Sequence, residues 1–227
     1  MTLSGGVRFA VVLCVAVATA ACGETGPSAT PRPPCPTAPP TAATARDEVE
    51  GAERAVVATN KGSFTIELRG DAAPLATANF VALARCGFYD GIAFHRVLAG
   101  FIIQAGDPNT DRDRPGSDPT RIGSGGPGYR FTIEPPAEDL EYDRYSVSMA
   151  NASAPDTNGS QFFIALADLT GRMSRDYTIF GQVVDGADVV DTIGAVPVNG
   201  PAGLPLDPVI IESITVSAAS GATPSAD

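Results

Sequence analysis

The 227-residue chain contains no Trp, one His, one Lys and three Met, and only 18 % of its residues are charged. A single imidazole, His95, and four scattered Cys leave little material for a zinc site, which takes four such ligands when closed. Neither a metal nor a cofactor is expected. Basic residues number 15 against 26 acidic ones, giving a formal charge of −11. Nucleic acid is excluded as a partner, because phosphate neutralisation requires clustered Lys and Arg. The one extended apolar run, Phe9 to Ala21, has 13 residues, short of the ~20 that span a bilayer. What the chain has in quantity is 44 % hydrophobic residues, 24 Gly and 20 Pro. Enough apolar surface is present to fold, and the turns are many.

The first 21 residues carry one basic residue, Arg8, ahead of that apolar run, as in the n- and h-regions of a signal peptide. The run ends in Thr19-Ala20-Ala21-Cys22, which resembles a bacterial lipoprotein box with Cys22 as the lipidated residue. Thr19 stands where Leu or Val is usual, and ordinary secretory cleavage near Ala21 is the alternative. Both readings export the domain, and loss of Arg8 takes its charge to 14 − 26 = −12. Residues 22–53 read as a disordered tether: seven Pro fall between 23 and 46, with almost no large apolar side chain. Such a spacer reaches up to ~70 Å at ~3.1 Å per residue. Residues 218–227 read as a disordered tail. An oxidising compartment permits a Cys35–Cys86 bridge, with two separate thiols as the alternative.

Between Arg54 and Ser217 the pattern is short strands separated by turn signals. Ala55–Ala58 and Ser63–Leu68 flank Asn60-Lys61-Gly62 as a hairpin. Asp71–Arg85 has helical spacing, with Pro74 in its first turn and Gly87 after its end. Further strands are expected at 93–97, 101–105, 129–133, 145–150, 162–166, 178–184 and 209–216, and a second helix at 187–193. Many strands with two helices predict a mainly β domain, a closed antiparallel barrel capped by helices.

Three segments carry chemistry: Phe94-His95-Arg96-Val97, Phe101-Ile102-Ile103-Gln104-Ala105-Gly106-Asp107-Pro108, and Ser148-Met149-Ala150-Asn151-Ala152 running on to Asn158-Gly159-Ser160-Gln161-Phe162-Phe163. Their order and spacing strongly resemble the cyclophilin family of peptidyl-prolyl cis–trans isomerases. Ala73–Phe80, Gly125–Tyr129, Ile179–Val183 and Ile210–Ile214 extend the resemblance over 54–217. The resemblance implies an eight-stranded antiparallel barrel with two helices and a groove on its outer face. It places the catalytic arginine at Arg96, assisted by Phe101 and Gln104. Substrate contacts fall on Ile102, Gly123, Ala150, Asn151, Gln161 and Phe163. Along the far wall, where the family often has Trp or Phe, Leu and an imidazole, this chain offers Arg172, Met173 and Tyr177. Loss of the indole implies weakened cyclosporin-type binding.

The implied activity is rotation about X-Pro bonds in exported polypeptides, with no covalent intermediate, by a monomer held at a membrane through Cys22. A non-catalytic proline-peptide-binding chaperone or scaffold of the envelope is the alternative. Other motifs read more plainly. Alternation turns His95 away from the groove that Arg96 faces, toward a structural role. Gly123-Ser-Gly-Gly-Pro-Gly128 precedes no helix and reads as loop glycines. Asp107, Asn109, Asp111, Asp113 and Asp118 have calcium-loop spacing, but Arg112 occupies the required Gly position, so the loop reads as solvated. The glycosylation sequons at Asn151 and Asn158 lie inside the groove motif and are not expected to be modified.

Overall fold

The computed structural model describes residues 1–2 and 31–218, so the signal segment, Cys22 and the tail from 219 lie outside the described residues. The elements run α1 (Ala42–Val49), β1 (Arg54–Thr59), β2 (Gly62–Leu68), α2 (Pro74–Arg85), β3 (Ala93–Phe94), β4 (Arg96–Leu98) and β5 (Ile102–Ala105). They continue with β6 (Ser146–Met149), β7 (Phe162–Ala165), β8 (Ile179–Asp185), α3 (Ala187–Gly194), β9 (Val198–Asn199), β10 (Leu204–Pro205) and β11 (Val209–Ser217).

Nine strands form one antiparallel sheet in the order β3-β11-β1-β2-β8-β6-β7-β5-β4. The count exceeds the eight expected because the 93–98 segment is interrupted at His95. Its first half pairs with β11 and its second half with β5, so the chain itself carries the ring from one edge to the other. His95 keeps the join bonded, its amide donating to the Gln104 carbonyl at 3.0 Å. The sequence pattern and this barrel agree where side chains alternate: Phe64, Ile66 and Leu68 of β2 are buried while Thr65 and Glu67 are not. The expected strand at 129–133 is absent. Only Phe131 bridges, to Asn158, because its neighbours turn to side-chain work elsewhere. The small β9–β10 hairpin was not foreseen.

The barrel interior is apolar, and an aromatic cluster lies where α2 meets it. The Phe80 ring sits 5.3, 5.6 and 5.1 Å from those of Tyr89, Phe162 and Phe180. At the end of α2, Gly87 adopts φ +78° and its amide donates to the Ala84 carbonyl, while that of Phe88 reaches Leu83. This is the paired-bond stop that Gly favours. At its start no side chain of the N-cap residue helps. Instead Glu134 accepts from the amides of Leu75 and Ala76 at 2.9 and 2.8 Å.

The tether expected over 22–53 is corrected for its second half. Residues 42–49 form α1, capped by a reciprocal Thr41/Thr44 pair and packed on α2. Cys35 and Cys86 form a disulfide spanning 51 positions. Arg85 pairs with Glu48 at 2.8 Å and Arg32 with Asp90. Composition gives no sign of this order for a physical reason: α1 buries only Ala45 and no large apolar side chain, and the segment is held by a covalent link and ion pairs.

Candidate active site

The groove is built by strand alternation on the outside of the barrel. Along β5, Ile103 and Ala105 join the interior, which leaves Ile102 and Gln104 facing out. Along β7, Phe162 and Ile164 point in, and Phe163 and Ala165 point out. Register then aligns the outward residues: Arg96 is opposite Gln104 across β4 and β5, and Gln104 is opposite Phe163 across β5 and β7. Ile102, Phe163, Tyr142, Leu169 and Ile179 form a second buried apolar cluster, against which Phe101, Ala150, Met173 and Tyr177 pack.

Above this floor lies a pocket of about 390 Å³. Arg96, Phe101, Gln104, Phe163, Met173 and Tyr177 meet there, with Ile102, Ala150 and Asn151 also at its wall. Gly123 and Gln161 line an adjoining cavity of about 710 Å³, which shares Gln104, Ala150 and Asn151 with the first. The two cavities make one groove. The Tyr177 ring stands edge-on to Phe163 at 5.5 Å. Its backbone is fixed by Tyr142, whose hydroxyl donates to the Tyr177 carbonyl at 2.9 Å and accepts from its amide at 3.2 Å. Asn151 is committed within the protein: its amide nitrogen donates to the Asp176 carbonyl, and its oxygen accepts from the Ser153 amide.

A polar chain crosses the groove. Arg96 Nη1 donates to Gln104 Oε1 at 3.4 Å, and Gln104 Nε2 donates to Gln161 Oε1 at 2.9 Å. Gln161 Nε2 in turn donates to the carbonyls of Gly123 and Gly125 at 3.1 and 2.9 Å. Behind those glycines sits Asp107, fully buried, accepting from the amides of Asn109, Gly123 and Gly125 at 2.8, 2.5 and 3.0 Å. Sequence reading placed Asp107 in a solvated acidic loop. The structure makes it the anchor of the 107–125 wall, its charge matched by backbone donors as buried carboxylates require. The Asp-Pro pair that starts a 3-10 turn at Pro108 was the available signal. Tyr142, also unforeseen, supports the other wall.

His95 is 7 % exposed and neither ring nitrogen meets hydrogen-bond geometry, with Gln161 and Ala93 included. Burial lowers its pKa, the Asp107 carboxylate opposes that shift and Arg96 adds to it. It does not line either cavity. The far-wall Arg172 does reach the pocket, with its guanidinium carbon 5.9 Å from the Phe101 ring centroid. Chemically, the pocket offers an apolar seat for a ring the size of proline beside a permanent cation with several donors.

Residues 54–216 match the family model described as "Cyclophilin type peptidyl-prolyl cis-trans isomerase/CLD". A protein of Mycobacterium tuberculosis named "Peptidyl-prolyl cis-trans isomerase A" is 43 % identical over 181 residues, covering 72 % of this chain and 91 % of that protein. A Helicobacter pylori "Peptidyl-prolyl cis-trans isomerase" is 40 % identical over 149 residues, 65 % of this chain and 83 % of its own. Among solved structures, a Cryptosporidium parvum cyclophilin type isomerase superposes with a TM-score of 0.64 at 35 % identity, covering 74 % of this chain and 98 % of that one. The same protein in the presence of the dipeptide Ala-Pro superposes at 0.63 with 36 % identity, covering 73 % and 99 %.

Proposed function

The chain belongs to the cyclophilin-type peptidyl-prolyl cis–trans isomerase family, and from that premise we propose that it accelerates rotation about X-Pro bonds of exported proteins as they fold. The observation that carries the catalytic part is the placement of Arg96 at the rim of an apolar pocket, tied to Gln104 and to no carboxylate among the described residues.

Rotation about an X-Pro bond crosses a barrier of ~18–20 kcal/mol because it breaks amide resonance. Uncatalysed, it takes tens to hundreds of seconds. No covalent bond forms or breaks, so no acid–base pair is required. In the twisted state the proline nitrogen regains its lone pair and the carbonyl loses its conjugation. A group that donates to that nitrogen, which can accept only when the bond is twisted, binds that state better than either planar isomer, and this lowers the barrier. Arg96 supplies such donors at any pH, and Gln104 holds its guanidinium toward the pocket. Phe101, Ile102 and Phe163 seat the ring and keep water away, so the hydrogen bonds act in a low dielectric. Met173 and Tyr177 close the wall. Gln161 and the backbone at Ala150 and Asn151 are placed to bind the flanking peptide chain.

Export rests on the signal-like segment, and membrane attachment on lipidation of Cys22. A monomer is the proposed working unit, which the presence of every invoked residue in one groove makes sufficient. The test of catalysis is NMR exchange on a model Ala-Pro peptide with wild type and Arg96→Ala. A loss of about 10²–10³-fold is expected, and equal rates would leave only a proline-peptide-binding module. Metabolic lipid labelling, with Cys22→Ala as the control, tests the anchor.

A further inference from the structure

The five ion pairs among the described residues use Arg32, Arg85, Arg114, Arg144 and Arg175, and none of these lines the groove. The groove has its own arginines. Arg96 and Arg172 line the proline pocket, Arg121 and Arg130 line the adjoining cavity, and no Asp or Glu lines either. In a chain with 26 acidic residues against 15 basic ones, this lining reverses the sign of the surface around it.

Neighbouring charges do not cancel it. Among the described residues Arg96 bonds to the neutral Gln104 and to no carboxylate. Arg172 is exposed, lies against the Phe101 ring and makes no ion pair among the described residues. Asp168, nearby in sequence, turns to the Thr170 amide. Asp107 is buried behind Gly123 and Gly125 with its oxygens taken by amides. Arg121 has an acid beside it, Asp118, whose oxygen accepts from Thr120, and on the far wall Asp176 makes no ion pair among the described residues. Besides Arg96, which the isomerase reading already uses, the charge beside the proline seat with no ion-pair partner among the described residues is Arg172. Its contact with Phe101 limits the rotamer entropy lost when it binds an anion.

We propose that Arg172 is a specificity-determining residue, and that the groove prefers proline segments bearing a carboxylate within two residues of the proline. This rests on the reading of the groove as the substrate site. A proline ring seated on Phe101 and Phe163 brings its neighbours past Arg172, whose planar fork matches a carboxylate. The surrounding acidic surface repels such peptides at long range, so the preference is a contact effect and not one of steering.

The experiment uses the full chain and three Ala-based proline peptides with Glu, Ala or Lys beside the proline. Catalytic efficiency is read by NMR exchange and Kd by titration, at low and high ionic strength. At low salt the Glu peptide should show about 5-fold higher efficiency and about 5-fold lower Kd than the Ala peptide, as one partly exposed charge pair supplies. The Lys peptide should fall below both, and salt should compress the range. Arg172→Gln should bring the Glu-to-Ala ratio to about one, Arg172→Glu should invert it and Arg172→Lys should retain part of it. Each ratio is taken within one preparation, so a general loss of folded protein does not imitate the effect. Equal efficiency and affinity for all three peptides, or a ratio that Arg172→Glu leaves in place, overturns the proposal while the isomerase reading stands. Tighter binding of the Glu peptide without turnover of any peptide upholds the preference and overturns the isomerase reading. Absence of both binding and turnover overturns both.

Discussion

Removing the Cys35–Cys86 disulfide should destabilise the domain measurably, although neither residue belongs to the barrel or the groove. The bond closes a loop across 51 positions that includes α1, β1, β2 and α2. The chain-entropy relation gives a loss of about 14 cal/mol/K in the unfolded ensemble for that loop, or about 4 kcal/mol at 25 °C. That is an upper figure. Once the bond is gone, residues 32–53 can detach from α2 and regain some freedom in the folded state. An eight-residue helix that buries only Ala45 is too short to persist alone. The Glu48–Arg85 pair, with both side chains 38 % exposed, adds less than about 1 kcal/mol. A net cost of about 2–4 kcal/mol is expected, and with it a drop in Tm of roughly 4–15 °C for a domain of this size. The assay is thermal unfolding followed by circular dichroism on the oxidised chain and on Cys35→Ser/Cys86→Ser, with thiol titration to establish pairing. Hydrogen exchange should show α1 amides losing protection while β6 and β7 keep theirs. Equal Tm values with protected α1 amides in the double variant would refute the reasoning, because α1 would then be held by packing alone.

Asp107→Ala should cost about 3 kcal/mol or more, since it strands the Asn109, Gly123 and Gly125 amides. Asp107→Asn should fall between it and wild type, as urea unfolding will show. Glu134→Ala removes the acceptor of the first α2 amides and should cost about 1 kcal/mol; an unchanged urea midpoint would contradict that role. Burial lowers the His95 pKa below the ordinary imidazole value of 6.5 and so disfavours the charged ring. The contribution of His95 to stability is therefore complete above pH 6.5 and is lost as pH falls from there through the lowered folded value. His95→Gln should flatten that part of the stability–pH curve, whereas an unaltered curve would assign the acid sensitivity elsewhere. Cyclosporin should inhibit weakly, because Arg172 offers no indole to the far wall; inhibition matching Trp-bearing relatives would show that the wall residue is not decisive.

Strands were legible wherever one face of the chain is buried. Phe64, Ile66 and Leu68 announce β2 by alternation alone, and the Pro74 and Gly87 signals bracket α2 to within a few residues. Tyr129–Ile133 shows the limit of that signal. Phe131 is buried as its pattern suggests, but alternation reports a buried face and says nothing of a partner strand. Tyr129 spends its hydroxyl on Asn79 and Glu134 its carboxylate on α2, and the backbone between them stays out of the sheet. α1 failed for the opposite reason. Its attachment is covalent and ionic, and hydrophobic periodicity carries no trace of either.

The site divides along the same line. Arg96, Ile102, Gln104 and Phe163 could be assigned to one face because strand period fixes which way each residue points. What aligns Arg96 with Gln104, and Gln104 with Phe163, is cross-strand register, which no local pattern states. The hydrogen bonds that position Arg96 start further still from it. They run from Asp107 through the Gly123 and Gly125 peptide groups to Gln161, then to Gln104. Every link after the first is neutral and can be re-paired with water, but the buried carboxylate cannot be rehydrated without opening the loop. The direction of Arg96 thus depends on a charge that sequence alone assigned to solvent. Loop changes between 108 and 128 can therefore retune the groove without altering any residue that touches the proline.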